Sequence, residues 1–362
     1  MRFTRLTNGT REQLLERTLN KGADPASTVQ SVSMPRATLE KLCQSELLRK
    51  YLGRPYVLVS RWMWNHLPTS WTSWRLIRAH GVHLHSLIQR RATRQQYVGT
   101  FFFRNRSELE LLTRLLKQRP PGAAVDVAVV ACSKGCEVYS ISYAIRCARP
   151  DLQVRLRALD IERDVLEFAE GGVYSLASQD HAGTPSPGSL AQGENVATKT
   201  SRDQKSSIFE RMRSEELEAM FDREGEYVKV KPRFREGITW HLGDAGDPDL
   251  VSALGLQDVV VANRFLCHMQ PEEAEACLCQ LARLVKPGGY LFVSGVDLGV
   301  RSKVARKLGW RPVTELISEI HDGDPSLRRD WPLEYWGLEP FDQGRSDWKV
   351  RYASVFQCGG AF

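Results

Sequence analysis

One pattern constrains this chain more than any other: from about residue 122, short β-branched apolar runs alternate with stretches of helical length. VDVAVVA (125–131) runs through a small-residue turn, CSKGCE, into VYSISYAIRCA. VRLRALD (154–160) ends in an acid and leads into RDVLEFAEGG. QDVVVAN (257–263) precedes PEEAEACLCQLARLVKPGG, which reads as a helix closed by Pro-Gly-Gly, and YLFVSG follows as another strand. Strands apolar on both faces belong in a parallel sheet covered by helices on both sides. The expectation is therefore an α/β fold with a mainly parallel, doubly wound sheet. FERMRSEELEAMF reads as a helix and EYVKVKPRF as a strand, together a small insertion at about 175–236. WKVRYASVFQ, near the end, alternates like an antiparallel edge strand.

Residues 1–96 read differently, as a mainly helical, basic N-terminal domain preceding a second domain at 97–362. TREQLLERTLNKG and SMPRATLEKLCQSELLRKYLG carry capping residues and terminal glycines, and WRLIRAHGVHLHSLIQRRA is a third helical stretch. The segment 47–107 has no acidic residue and eleven basic ones, Arg49, Lys50, Arg54, Arg61, Arg75, Arg78, Arg90, Arg91, Arg94, Arg104 and Arg106. Trp62, Trp64, Trp71 and Trp74 are interleaved with them, so this region could attract an acidic protein partner, an anionic lipid surface or a nucleic acid backbone, beside the equal reading of a solvated basic face. Residues 178–206 are polar and rich in Gly, Ser and Pro, as in a surface loop. Trp310, Trp331, Trp336 and Trp348 mark a C-terminal stretch read as substrate-facing or lid material.

The eight cysteines in 362 residues are too few for a disulfide scaffold and form no CxxC pair. The start of the chain lacks the apolar core of a secretory signal, and no apolar run approaches the roughly 20 residues a bilayer-spanning helix needs. A cytoplasmic location is the expectation. His80, His83 and His85 do not share one helix face, so no metal site is read there.

Ligands of open parallel sheets bind beyond the carboxyl ends of the strands. There the sequence places Gly135, for a close turn, and Glu137 just after it. Asp160 ends the second strand, placed to accept from a ribose diol, and Asp244 can accept from an adenine amino group. Asn263, Arg264 and His268 follow the third strand. No G-x-G-x-x-G and no phosphate-binding loop is present, which argues against a dinucleotide or nucleoside triphosphate. A nucleoside site without a pyrophosphate cradle suits S-adenosylmethionine (SAM).

These residues resemble the CheR-type chemotaxis receptor methyltransferases, SAM-dependent protein-glutamate O-methyltransferases. Thr100, Phe102, Phe103 and Arg104 match the T-x-F-F-R element, and Gly135 to Ser140 partly match the loop G-E-E-P-Y-S. Asp160, Ile161, Val165, Leu166, Ala169, Gly172 and Tyr174 match D-I-x-x-x-V-L-x-x-A-x-x-G-x-Y, and LVKPGGYLFVSG resembles the family's Pro-Gly-Gly strand. The resemblance covers about 97–296 and implies a class I methyltransferase, Rossmann-like sheet with a helical N-terminal domain and a small inserted subdomain. It implies that Thr100, Arg104, Gly135, Glu137, Asp160, Ile161, Asp244, Asn263 and Arg264 hold SAM, with Glu137 at the amino-acid end and Asp160 on the ribose. Arg104 would also orient an acceptor carboxylate, and His268 is the candidate base for an acceptor that must lose a proton. The family's R-N-V-x-x-Y-F becomes Asn263-Arg264-Phe265-Leu266-Cys267-His268-Met269 here, with the first pair reversed and His268 in place of the tyrosine. The expected function is methyl transfer to oxygen, on a carboxylate of a protein side chain or a small metabolite. The alternatives are a nucleic acid methyltransferase, disfavoured because no (N/D)PP(Y/F) follows the third strand, and a non-catalytic module of the same fold.

Overall fold

The computed structural model describes residues 54–68, 71, 74–89, 99–176, 207–323 and 341–359. The first two helices expected from sequence, the loop at 178–206, and Trp331 and Trp336 lie outside these residues. The chain divides into two compact units, Met1–Leu58 and Val59–Phe362, and only the last few residues of the first are described.

The helices are α1 (Arg54–His66), α2 (Arg75–Gln89), α3 (Arg106–Leu116), α4 (Cys136–Ala148) and α5 (Arg163–Gly171), then α6 (Ser214–Met220), α7 (Pro232–Arg235) and α8 (Leu250–Leu254). They continue with α9 (Pro271–Leu284), α10 (Leu298–Lys307), α11 (Ile317–Asp322) and α12 (Trp348–Tyr352). The strands are β1 (Ala124–Val130), β2 (Gln153–Asp160), β3 (Val173–Ser175), β4 (Phe221–Glu224) and β5 (Tyr227–Val230). β6 (Ile238–Leu242), β7 (Gln257–Val261), β8 (Val285–Phe292), β9 (Arg311–Pro312) and β10 (Val355–Gln357) complete them.

Seven strands form one sheet in the order β6-β2-β1-β7-β8-β10-β9. β6, β2, β1, β7 and β8 run parallel, and β10 is antiparallel to both of its neighbours. The two-residue side-chain period decides what each strand residue meets. Val125, Val127 and Val129 of β1 pack with Leu111, Leu112 and Leu116 of α3 and Val138 and Ile141 of α4. Ala128 and Val130 point the other way, into a layer with Leu278, Leu281 and Val304 of α9 and α10. Both faces are covered, which is why these strands read as unbroken apolar runs. The expected α/β doubly wound sheet is present.

A second sheet of three short antiparallel strands, β3-β5-β4, comes from 173–175 and 221–230. It packs around an aromatic cluster that includes Phe101, Phe102, Phe103, Tyr174 and Phe221. Arg106 forms an ion pair with Glu216 at 2.7 Å, and the Phe102 amide donates to the Ile208 carbonyl at 3.0 Å. These contacts tie the insertion to the segment that carries Arg104.

Several local expectations are corrected. WKVRYASVFQ is not one strand: its first half is α12, because Trp348 and Tyr352, four apart, turn toward one side, where Tyr352 packs on Phe341 and His321. β10 is also not the edge, since β9 lies outside it. Pro287-Gly288-Gly289 does not close a helix but forms an irregularity inside β8, opposite the register shift between Gln257 and Val259. A Cβ on Gly289 would meet the Asp258 carbonyl oxygen at 2.8 Å, so only glycine lets β8 approach β7 there. The helix in FERMRSEELEAMF is confined to α6, and Phe221 already belongs to β4. Trp310 is buried in the core against Phe356 and Trp348 packs beside it, so neither is lid material.

Candidate active site

The parallel strands end at an open cleft, with about 890 Å³ of empty space when the solvent at its mouth is included. The tip of β1 contributes Val130, Ala131, Cys132 and Ser133, and that of β2 contributes Asp160, Ile161 and Glu162. Gly243 and Ala245 follow β6, and Asn263, Arg264, Phe265, His268 and Met269 follow β7. Gly99, Thr100 and Arg104 form the remaining wall, with Glu137 from the first turn of α4.

Backbone strain concentrates here. Ala131, Ser133 and Arg264 line the cleft with φ of 55°, 49° and 65°, and Phe103 beside Arg104 has 51°. Non-glycine residues rarely adopt this region, and such strain persists where surrounding contacts enforce it, often at functional sites. One enforcing contact is Asp160. Its Oδ2 accepts from the Ser133 amide at 2.7 Å and its Oδ1 from the Glu162 amide at 3.1 Å. Burial raises its pKa, and these backbone donors offset part of that. Asp160 therefore shapes the β1 turn and starts the path into α5 while facing the cleft.

A second cluster sits at the β7 end. The Asn263 Oδ1 accepts from both the Ser294 amide and the Ser294 hydroxyl, each at 2.8 Å, which fixes the orientation of its amide. Its Nδ2 then donates to Glu137 Oε1 at 2.9 Å and to Glu108 Oε2 at 3.1 Å. Glu108, in the first turn of α3, was not singled out in the sequence, where it reads as an ordinary helix-start acid.

Arg104 donates from Nη2 to the Gly99 carbonyl at 2.7 Å, bracing the wall that includes buried Thr100. The Arg264 amide donates to the Ser294 carbonyl at 2.9 Å, and its backbone lies so close to Gly295 that a Cβ there would meet Arg264 Cα at 2.6 Å. His268 lies in a short 3₁₀ turn, with its pKa pushed down to about 4 by burial and by the nearby Arg264 charge. Its imidazole is neutral at physiological pH and a weak base. Cys132 is buried, and burial, with the Asp160 charge, raises its thiol pKa well above the ordinary value, so it is packing rather than a nucleophile.

Two sequence-predicted residues fall outside the cleft lining. Gly135 (φ 80°) caps the start of α4, and its missing side chain makes room for Ala169, Trp240 and Tyr139, each within 3.3 Å of a Cβ placed there. Its lack of a side chain therefore allows this close packing of α4 on its neighbours. Asp244 sits between the lining residues Gly243 and Ala245, but its own Oδ1 accepts from the Gly246 amide at 2.8 Å and closes a local turn. His85, one of the three clustered histidines, contacts Asp297 through Nε2 at 3.1 Å. Among the described residues no group of His, Cys, Asp and Glu is arranged to hold a metal ion, and no helix is long and apolar enough to cross a membrane.

The donor set suits a nucleoside with a cationic tail. Carboxylates from Asp160 and Glu137 face the cleft, and no glycine-rich phosphate cradle is present.

Comparison with known proteins agrees. Residues 99–182 match the family described as CheR methyltransferase, SAM binding domain, and residues 215–293 match a methyltransferase domain family. A curated relative, a probable biofilm formation methyltransferase, WspC, of Pseudomonas aeruginosa, is 27% identical over 209 residues, covering 56% of this chain and 42% of the relative. The chain thus spans less than half the length of that protein. Similar solved structures include a TehB-like SAM-dependent methyltransferase from Corynebacterium glutamicum (14% identity, 70% of this chain and 87% of that one, TM-score 0.33). Another is the magnesium protoporphyrin IX methyltransferase of Synechocystis PCC 6803 with bound SAM (14% identity, 57% and 69%, TM-score 0.30). The CheR-type resemblance read from the sequence holds over 99–182, and SAM is the ligand of that domain family.

Proposed function

We propose that this protein is a SAM-dependent O-methyltransferase whose acceptor is a carboxylate. The observation that carries the reading is Arg104: its guanidinium lines the cleft together with Glu137 and Asn263, where it can pair with an acceptor carboxylate. His268, whose pKa is lowered by burial and by the Arg264 charge, is poorly suited to deprotonate an alcohol or amine. A carboxylate is already ionised, whereas an alcohol or ammonium acceptor must first lose a proton.

When bound, SAM supplies a methyl group on a positively charged sulfur, which an incoming oxygen attacks while the carbon–sulfur bond breaks, with no proton to move. Asp160 is the residue for the ribose hydroxyls and Glu137 for the ammonium of the amino-acid end. Thr100, Ile161 and Met269 close the walls around them. Arg104 lines the cleft and presents a guanidinium that can hold a carboxylate in a planar, paired geometry, so its part is to place the acceptor oxygen.

Incubation with tritiated SAM and a cell extract, followed by separation of protein from small molecules, tests this reading. Label in protein that mild base releases as methanol is the expected result. Base-stable label on nitrogen or nucleic acid refutes the carboxylate acceptor. Absence of SAM binding removes the methyltransferase reading altogether.

A further inference from the structure

Resting on that reading of the cleft, we infer that Glu108 is a positioning residue of the donor site, which with Glu137 forms a paired-carboxylate receptor, joined through the single amide of Asn263, for the ammonium of the donor's amino-acid end.

Three observations support it. Glu108 is 7% exposed although it belongs to the first turn of a helix, where an acid would ordinarily face solvent. Its carboxylate turns inward to Asn263 Nδ2, which holds Glu137 with its other hydrogen. A recess continuous with the main cleft through Arg104, Glu137 and Asn263 is lined by Glu108 as well.

Placing two acids side by side, Glu108 buried and Glu137 half-buried, is unfavourable unless their charge is compensated. Each lies at the positive end of a helix dipole, Glu108 on α3 and Glu137 on α4, which lowers part of that cost. Arg104 is the cation lining both the recess and the cleft, and it also donates to the Gly99 carbonyl. A cationic ligand group would add a further counter-charge to the pair. A purely structural role for Glu108 needs only the hydrogen bond to Asn263, which a neutral amide could also accept. The second negative charge matters for a positively charged ligand group and is indifferent to a neutral one.

The test is calorimetric titration of the full chain with two ligands. S-adenosylhomocysteine carries the amino-acid end, and 5′-methylthioadenosine keeps the nucleoside and sulfur without it. Glu108→Gln retains an acceptor for Asn263 and removes the charge. It is expected to weaken S-adenosylhomocysteine about tenfold, as for loss of one charge-assisted interaction, and methylthioadenosine less than about twofold. Glu108→Asp, which restores the charge, is expected to recover most of the affinity. Equal losses for both ligands, or no loss for either, overturn the inference while leaving the SAM site standing. Wild type that binds neither ligand overturns both. Should Glu108→Gln not fold, Glu108→Asp and wild type decide: the amino-acid-bearing ligand must bind at least about tenfold tighter than methylthioadenosine to both.

Discussion

Replacing Lys286 by methionine tests how the foot of the sheet is held, independently of the cleft. At the starting ends of the strands, Asp126 of β1 and Asp258 of β7 are only 6% and 4% exposed. Lys286 of β8 donates to both, at 2.9 and 2.8 Å. Asp126 also pairs with Arg155 and Arg157, and Asp258 with Arg119 at 2.7 Å. Burial by itself would raise both carboxyls, but the hydrogen bonds from Lys286 and the arginine charges outweigh it and hold both below the ordinary aspartate range. Removing one partner of a fully buried pair costs about 3–5 kcal/mol. Here Lys286 is itself 34% exposed and the arginines stay, so solvent screening reduces the expected loss to about 2 kcal/mol. At about 2–4 °C per kcal/mol for a unit of this size, Tm should fall by about 4–8 °C at pH 7. The pH dependence has a definite sign. Depressed carboxyl pKa values contribute stability above the unfolded value of 3.8, and that contribution is lost as pH falls through the lower folded values. The gap between wild type and Lys286→Met should therefore narrow as pH drops below about 4. Calorimetric melting at pH 7, 5 and 3 measures it, with S-adenosylhomocysteine affinity at 20 °C as a control expected to stay within about twofold because the cleft lies at the opposite strand ends. A Tm change below about 1 °C at pH 7, or a full gap persisting at pH 3, refutes the reasoning.

His268→Gln should reduce methyl transfer by less than about tenfold, and the wild-type rate should show no rising limb between pH 5 and 8. A rising limb near pH 6.5 that the variant abolishes, or a thousandfold loss, would make His268 a base. Asp160→Ala should weaken SAM binding by at least about tenfold and lower Tm, since it frees the Ser133 and Glu162 amides as well. An unchanged dissociation constant contradicts its place in the site. Gly135→Ala should lower stability by about 2 kcal/mol or more, because a positive φ and contact with Ala169 at 3.0 Å act together. A melting curve matching wild type would show that α5 yields there.

The sequence made the sheet legible because its strands are buried on both faces, so each appears as a run of valine, leucine and alanine that needs no neighbour to be recognised. Asp160 was legible for a similar reason, as an acid at the end of such a run. Glu108 was not, because its significance depends on Asn263, 155 residues away in the chain. The packing demand on Gly135 was not legible, since it depends on Ala169 and Trp240, which only the fold brings beside it. The segment at 348–357 carried an alternation of apolar residues that fits a strand, while the packing of Tyr352 beside Phe341 selects a helical turn. The strained conformations of Ala131 and Ser133 have no sequence signal, for neither residue favours positive φ.

The bridge through Asn263 draws its parts from four separate places: α3, α4, the exit of β7 and, through Ser294, the exit of β8. No subset of these elements carries the bridge alone, so it assembles only after the centre of the sheet has closed. Ligand capture should thus lag behind the gain of secondary structure during refolding, and a fluorescent adenosyl analogue would report the final docking event. Excess ligand, by engaging that last state alone, should slow unfolding more than it speeds folding.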